Sequence, residues 1–197
     1  MAEARSAPAS PALRFRTARA FETWLRKNQS SPDGVWLEIG KADAPEATLS
    51  YSEALEVALC YGWIDGQKKA QDASYWLQRF SPRRPRSIWS KVNRGRVEDL
   101  IAAGRMQPRG QAEIDRAKAD GRWDAAYDSA RTIQVPKDLQ AALDAQPKAG
   151  AFFKTLDAAN RYAVLWRVQT ANKPETRARR IETLVAMLAK KEKIHPG

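Results

Sequence analysis

The 197-residue chain sets 34 lysines and arginines against 23 aspartates and glutamates, a formal charge of +11, and 43% of its residues are hydrophobic. That composition excludes a wholly disordered chain and leaves a basic globular protein of one large domain or two small ones. One histidine, His195, and one cysteine, Cys60, exclude an internal Ser-His-Asp triad, a Cys-His dyad, a His-based metal centre and an intramolecular disulfide.

Residues 1–12, rich in Ala, Ser and Pro, read as a disordered tail. Thr17 is placed to cap a helix in which Phe21, Trp24 and Leu25 share one face. After the turn signal Ser30-Ser31-Pro32-Asp33-Gly34, Val35, Leu37 and Ile39 alternate at period two, the mark of a short strand. Ser50 and Glu53 have capping-box spacing ahead of a helix with Leu55, Ala58 and Leu59 on one stripe, which Gly62 ends. Trp63 to Lys69 and Tyr75 to Phe80 read as two more strands joined through Gln71-Asp72-Ala73-Ser74, with one crossover in the resulting unit.

From Ser87 the pattern turns helical, with helices expected over about 88–103, 108–120 and 122–130. Pro136 then suits the first position of a helix containing Leu139 and Leu143, a segment from about Gly150 to Ala171 follows, and Pro174 opens the last helix. In that helix Ile181, Leu184, Val185 and Leu188 make an apolar stripe, so the last three helices are expected to form a bundle. The fold class expected is α+β and predominantly helical: a small three-stranded sheet with helices over 13–130, then a C-terminal helical bundle over 131–197. No run of about 18 apolar residues suits a membrane span, the start lacks an apolar signal region, and a lone thiol suits a reducing compartment. A cytoplasmic address is expected, with no metal and no cofactor.

ALCYGWIDG (58–66), RFSPRRPRSIWSKVNR (79–94), Gly104-Arg105-Met106, and the stretch from Val135-Pro136 through KPETRARRI (173–181) resemble the YdeI/OmpD-associated family of bacterial proteins. The approach to the PETR string, Thr170 to Lys173, is a looser version of the family's. The resemblance implies an association with bacteriocin protection or envelope stress and with an outer-membrane porin. It supplies no catalytic residues.

The most unusual segment is 79–96, in which Arg79, Arg83, Arg84, Arg86, Lys91, Arg94 and Arg96 stand without a single Asp or Glu among 18 residues. Cations so dense repel one another unless something anionic meets them, and the guanidinium fork matches phosphate and carboxylate. Arg79, Arg83, Arg84, Arg86, Ser87, Trp89 and Arg94 are therefore the candidate anion-binding residues, with a helix start at Ser87 adding free amides. The competing reading is a solvated loop whose arginines pair with Asp65, Asp72 or Glu98. Cys60, Trp63, Asp65 and Trp76 form a candidate pocket at a helix–strand junction, with Asp65 as a base or Cys60 as a nucleophile on a small anionic substrate.

Trp76 and Trp89 are the indoles placed to stack against cations, while Trp24, Trp36, Trp63, Trp123 and Trp166 are expected in cores. Arg177, Arg179 and Arg180, at the unfavourable positive end of the last helix, read either as a second anionic contact or as a face paired with Glu175 and Glu182. The leading expectation is a non-catalytic protein binding an anionic small molecule or an acidic protein surface through the arginine segment. The enzyme on a small anionic substrate and a nucleic-acid-associated protein are the alternatives.

Overall fold

The computed structural model describes residues 12–196, so the expected tail lies, except for its last residue, outside the described residues. Two compact units are formed: one runs to Ser87 and resumes over Gly95–Asp120, the other takes Ile88–Arg94 and the chain from Gly121 on.

In the first unit Thr17 is extended and accepts a hydrogen bond from the Ala20 N–H at 3.2 Å, capping α1 (Ala18–Asn28). Phe21 and Leu25 are fully buried, and Trp24 meets Trp63 edge-on at 6.3 Å between ring centroids. β1 (Val35–Gly40) follows, then α2 (Tyr51–Cys60), whose start is the expected capping box: the Glu53 N–H donates to Ser50 Oγ at 3.2 Å and the Ser50 N–H to Glu53 Oε2 at 2.8 Å. These bonds hold the Glu53 carboxyl below its ordinary value.

β2 (Trp63–Ala70) and β3 (Tyr75–Pro82) complete an antiparallel sheet in the order β1-β3-β2. β1 and β2, both antiparallel to β3, therefore run in the same direction on its two sides, and α2 lies in the connection between them. The register places Val35, Leu37 and Ile39 opposite Phe80, Gln78 and Trp76, and this face contributes Leu37 and Phe80 to the core that receives Phe21. A bulge between Asp65 and Lys68 interrupts the β2–β3 ladder, and the buried Gln78 amide donates there to the Gly66 and Gln67 carbonyls at 3.1 and 3.3 Å.

α3 (Lys91–Ala102) and α4 (Pro108–Ala119) follow. α4 approaches the end of α2 so closely that a Cβ on Gly110 would lie 2.2 Å from the Cys60 carbonyl oxygen. Gly62 is required twice over, by φ +73° and by the Arg109 carbonyl that a Cβ would meet at 3.0 Å.

The second unit differs from expectation at its start. Residues 122–130 are not a helix: the turn that opens at Gly121 runs through Ala125, whose N–H donates to the Gly121 carbonyl at 3.1 Å, and Tyr127 then pairs with the segment 89–91, its N–H donating to Trp89 O at 3.0 Å and its carbonyl accepting from the Lys91 N–H at 2.9 Å. Tertiary pairing has taken the backbone groups a helix would need. Four helices rather than three then follow among the described residues: α5 (Lys137–Ala145), α6 (Pro147–Lys154), α7 (Ala158–Gln169) and α8 (Pro174–Ala189).

Pro136 is the N-cap of α5 rather than its first helical residue, and the segment expected from Gly150 to Ala171 is split where Asp157 caps α7 by accepting from the Asn160 N–H at 2.8 Å. Leu139, Leu143, Phe153, Val164, Val168 and Leu188 make the bundle core. The chain end is tied down: the Asn160 side chain, 3% exposed, accepts from the His195 N–H at 2.9 Å and donates to its carbonyl at 3.1 Å.

Candidate anion-binding surface

The loop that leaves β3 begins at Arg83, whose N–H donates to the Gly62 carbonyl at 2.9 Å. The next four residues close a turn from both directions: the Arg84 N–H donates to Ser87 Oγ and the Ser87 N–H to the Arg84 carbonyl, each at 2.9 Å. Ser87 is therefore a clasp for the turn, not the start of a helix, and its own N–H is taken by the Arg84 carbonyl. Ser90 takes the capping role instead, its Oγ accepting from the Asn93 N–H at 3.1 Å as α3 begins.

The candidate arginines divide into distinct environments. Arg79, half-buried on β3, donates to the Asp33 carbonyl and stands 5.8 Å from the Trp36 ring. Arg83 is buried at 6% exposure. Arg94, in the second unit, donates to the Trp123 carbonyl at 2.8 Å and lies 5.0 Å over that residue's ring. Lys91 pairs with Asp128 at 2.9 Å, and Arg96 donates to Ser52 Oγ at 3.1 Å. None of these contacts uses Asp65, Asp72 or Glu98, the carboxylates expected from the sequence. Arg84 and Arg86 are exposed, and no carboxylate among the described residues meets either one.

Trp89 is not a platform for a ligand. It is 2% exposed and packs on Trp123 at 5.1 Å between centroids, inside the second unit. Trp76 is half-buried, with Lys68 Nζ over its ring at 4.1 Å, a cation–π pair supplied by the protein itself.

Of the four candidate pocket residues, Asp65 and Trp76 come together around Tyr51, whose hydroxyl donates to Asp65 Oδ2 at 2.8 Å and whose ring lies 6.0 Å from that of Trp76. Trp63 is sealed at 0% exposure, its Nε1–H donating to the Gln29 carbonyl at 3.2 Å. Cys60 is 3% exposed, and burial pushes its thiol up to about 11 against the opposing charge of Arg105. A thiol so placed is a packing group and not an activated nucleophile. Sequence reasoning missed Tyr51 and Lys68: Lys68 reaches Trp76 only through the β2–β3 pairing, and Tyr51 only through the packing of the start of α2.

In the second unit the cations at the start of α8 find different partners from those expected. Arg177 makes a two-point contact with Asp138, Nε to Oδ2 at 2.6 Å and Nη2 to Oδ1 at 2.9 Å, and donates to the Val168 carbonyl at 2.9 Å. It holds the Asp138 carboxyl below its ordinary value. Glu175 and Glu182 make no ion pair with these arginines among the described residues. No group of three or more His, Cys, Asp or Glu among the described residues is arranged to hold a metal ion, and no helix is long and apolar enough to cross a membrane.

Fold and surface together define an α+β protein of two units, one a three-stranded sheet backed by helices, the other a helical bundle, with Arg84 and Arg86 exposed on the loop after β3 and meeting no carboxylate among the described residues. Residues 13–113, just over half of the chain, match a family described as a domain of unknown function (DUF8412), and the chain belongs to that family. Residues 132–191 match the family described as Bacteriocin-protection, YdeI or OmpD-Associated, in agreement with the resemblance carried by the PETR string. The strings at 58–66, 79–94 and 104–106 fall within the range of the first match. No curated protein and no solved structure matches the chain.

Proposed function

We propose that the protein is a non-catalytic binder of an anionic partner and that Arg84 and Arg86 make the contact. The observation that carries this reading is the pair of exposed guanidinium groups without a carboxylate among the described residues, mounted on a turn closed by Ser87 and tied at Arg83 to Gly62. Such a turn presents two planar donor forks in a fixed frame, which suits a carboxylate or phosphate on a small molecule or an acidic protein surface. Arg79 in the first unit and Arg94 in the second are each engaged by a carbonyl of their own unit, and neither is assigned to the contact.

Two observations weigh against the other readings. Base stacking needs an open aromatic face, and Trp89 offers none. The enzyme using Cys60 lacks an accessible thiol. The description of the family matched by residues 132–191 supports a role in bacteriocin protection, and the single thiol, Cys60, suits the reducing cytoplasm.

Calorimetry with tripolyphosphate and with a glutamate-rich peptide tests the proposal. The double variant Arg84→Ala/Arg86→Ala is expected to melt as the parent does and to bind at least about tenfold more weakly, from the loss of two charge-assisted contacts. Unchanged affinity for both probes contradicts the assignment. Retention on duplex DNA with a steep salt slope, near −0.9 per neutralised phosphate, would replace it with nucleic-acid binding.

A further inference from the structure

We propose that the second unit holds a separate binding site, a groove between α7 and α8, for an anionic amphiphile: a small molecule with an apolar body and a carboxylate or phosphate head. The groove encloses about 560 Å³, the size of a small-molecule site. Its floor is apolar, made by Trp166, Leu184, Met187 and Ile194, and its rim carries Arg167, Arg179 and Arg180, with no Asp or Glu in the lining.

The charges on that rim are positioned but not neutralised. Arg180 Nη1 donates to the Arg167 carbonyl at 2.7 Å and to Thr170 Oγ1 at 3.3 Å, and Arg167 Nη1 donates to the Ala163 carbonyl at 3.2 Å. These acceptors are neutral, so they orient the guanidinium groups and leave the positive charge in place. Arg179 is exposed and meets no carboxylate among the described residues. Arg177, in the same stretch of α8, is by contrast matched by Asp138 at two points. Three cations gathered on one rim, with no Asp or Glu in the lining, repel one another, a standing cost that an anion in the groove relieves.

The floor decides the rest of the ligand. Trp166, Met187 and Ile194 are only half-buried, and the segment bearing Ile194 is pinned by the Asn160–His195 bonds, so the apolar surface is preformed. A bare phosphate would leave this floor wet, and a neutral hydrocarbon would leave the guanidinium groups unmatched. An amphiphile with one anionic end satisfies both.

The test is titration of the full chain with decanoate and with decyl phosphate, both kept at monomeric concentrations, against decanol and acetate as probes lacking head or body. One equivalent of at least one anionic amphiphile is expected to bind, shifting the Trp166 indole resonance, with decanol and acetate at least about tenfold weaker. A preference between decanoate and decyl phosphate identifies the head group. Arg179→Ala is expected to weaken binding about fivefold or more, with Arg179→Lys recovering part of the loss and the melting temperature of both variants unchanged. Arg84→Ala/Arg86→Ala is expected to leave amphiphile binding intact, which separates this site from the loop after β3. Decanol binding as tightly as decanoate, an unmoved Trp166 indole, or an Arg179→Ala variant indistinguishable from the parent would each overturn the proposal.

Discussion

At the scale of single residues, what each arginine is bonded to decides what it can do. A guanidinium facing a carboxylate at two points, as Arg177 faces Asp138, is a structural clamp; one donating to a carbonyl, as Arg79 and Arg94 do, keeps its charge but fixes its direction. Only an exposed group with no carboxylate, such as Arg84 or Arg86, retains both charge and fork for a visitor.

The clamp has a pH signature. Asp138, held low by Arg177, and Asp128, held low chiefly by Lys91, have folded values below their unfolded ones. Their stabilisation is complete above an unfolded carboxylate value of about 4 and is lost as pH falls through the lowered folded values. Asp138→Asn is expected to lower stability at pH 7 by about 1 kcal/mol or less, because much of the Asp138 side chain is in water, and the difference from the parent should shrink as pH drops towards about 2. Denaturant unfolding measured across that range checks it. Cys60, with its thiol pushed up to about 11 and 3% exposed, is expected to resist alkylation at pH 8 in the native state and to react fully once the chain is unfolded.

At the scale of elements, close approach sets the tolerances. Gly110→Ala forces a methyl group onto the Cys60 carbonyl at the α2–α4 contact and is expected to cost about 1–3 kcal/mol in thermal or denaturant unfolding. At Gly104, with open space about it, a side chain would meet no such clash and would be strained by the φ of +66° alone.

Elements with local signals were readable in the sequence: the Thr17 cap, the Ser50–Glu53 box, the period-two strand of β1 and the stop at Gly62 all stand where the residues indicate. What was not readable depended on partners distant in the chain. Residues 122–130 lose their helix to backbone pairing with 89–91, and Gln78 is buried because a bulge twelve residues earlier needs its amide. The candidate site shows the same division. A dense arginine segment is visible in the string, but which arginines remain open depends on carbonyls at Asp33 and Trp123 that no spacing rule identifies. Ser87 illustrates the point: its hydroxyl suits a cap, and the turn closed with Arg84 claimed it first.

At the scale of the whole molecule, a formal charge of +11 spread over 197 residues favours encounter with any polyanion and so discriminates poorly between partners. Specificity has to come from the few guanidinium groups that are both open and held in place, and the account rests on Arg84 and Arg86 being those groups in the first unit. The measurement closest to that claim is a tripolyphosphate titration followed through the arginine side-chain Nε resonances. The account predicts that the Arg84 and Arg86 signals move together and saturate while those of Arg79 and Arg94 hold still. Still signals at Arg84 and Arg86, with movement at Arg79 or Arg94, would contradict it.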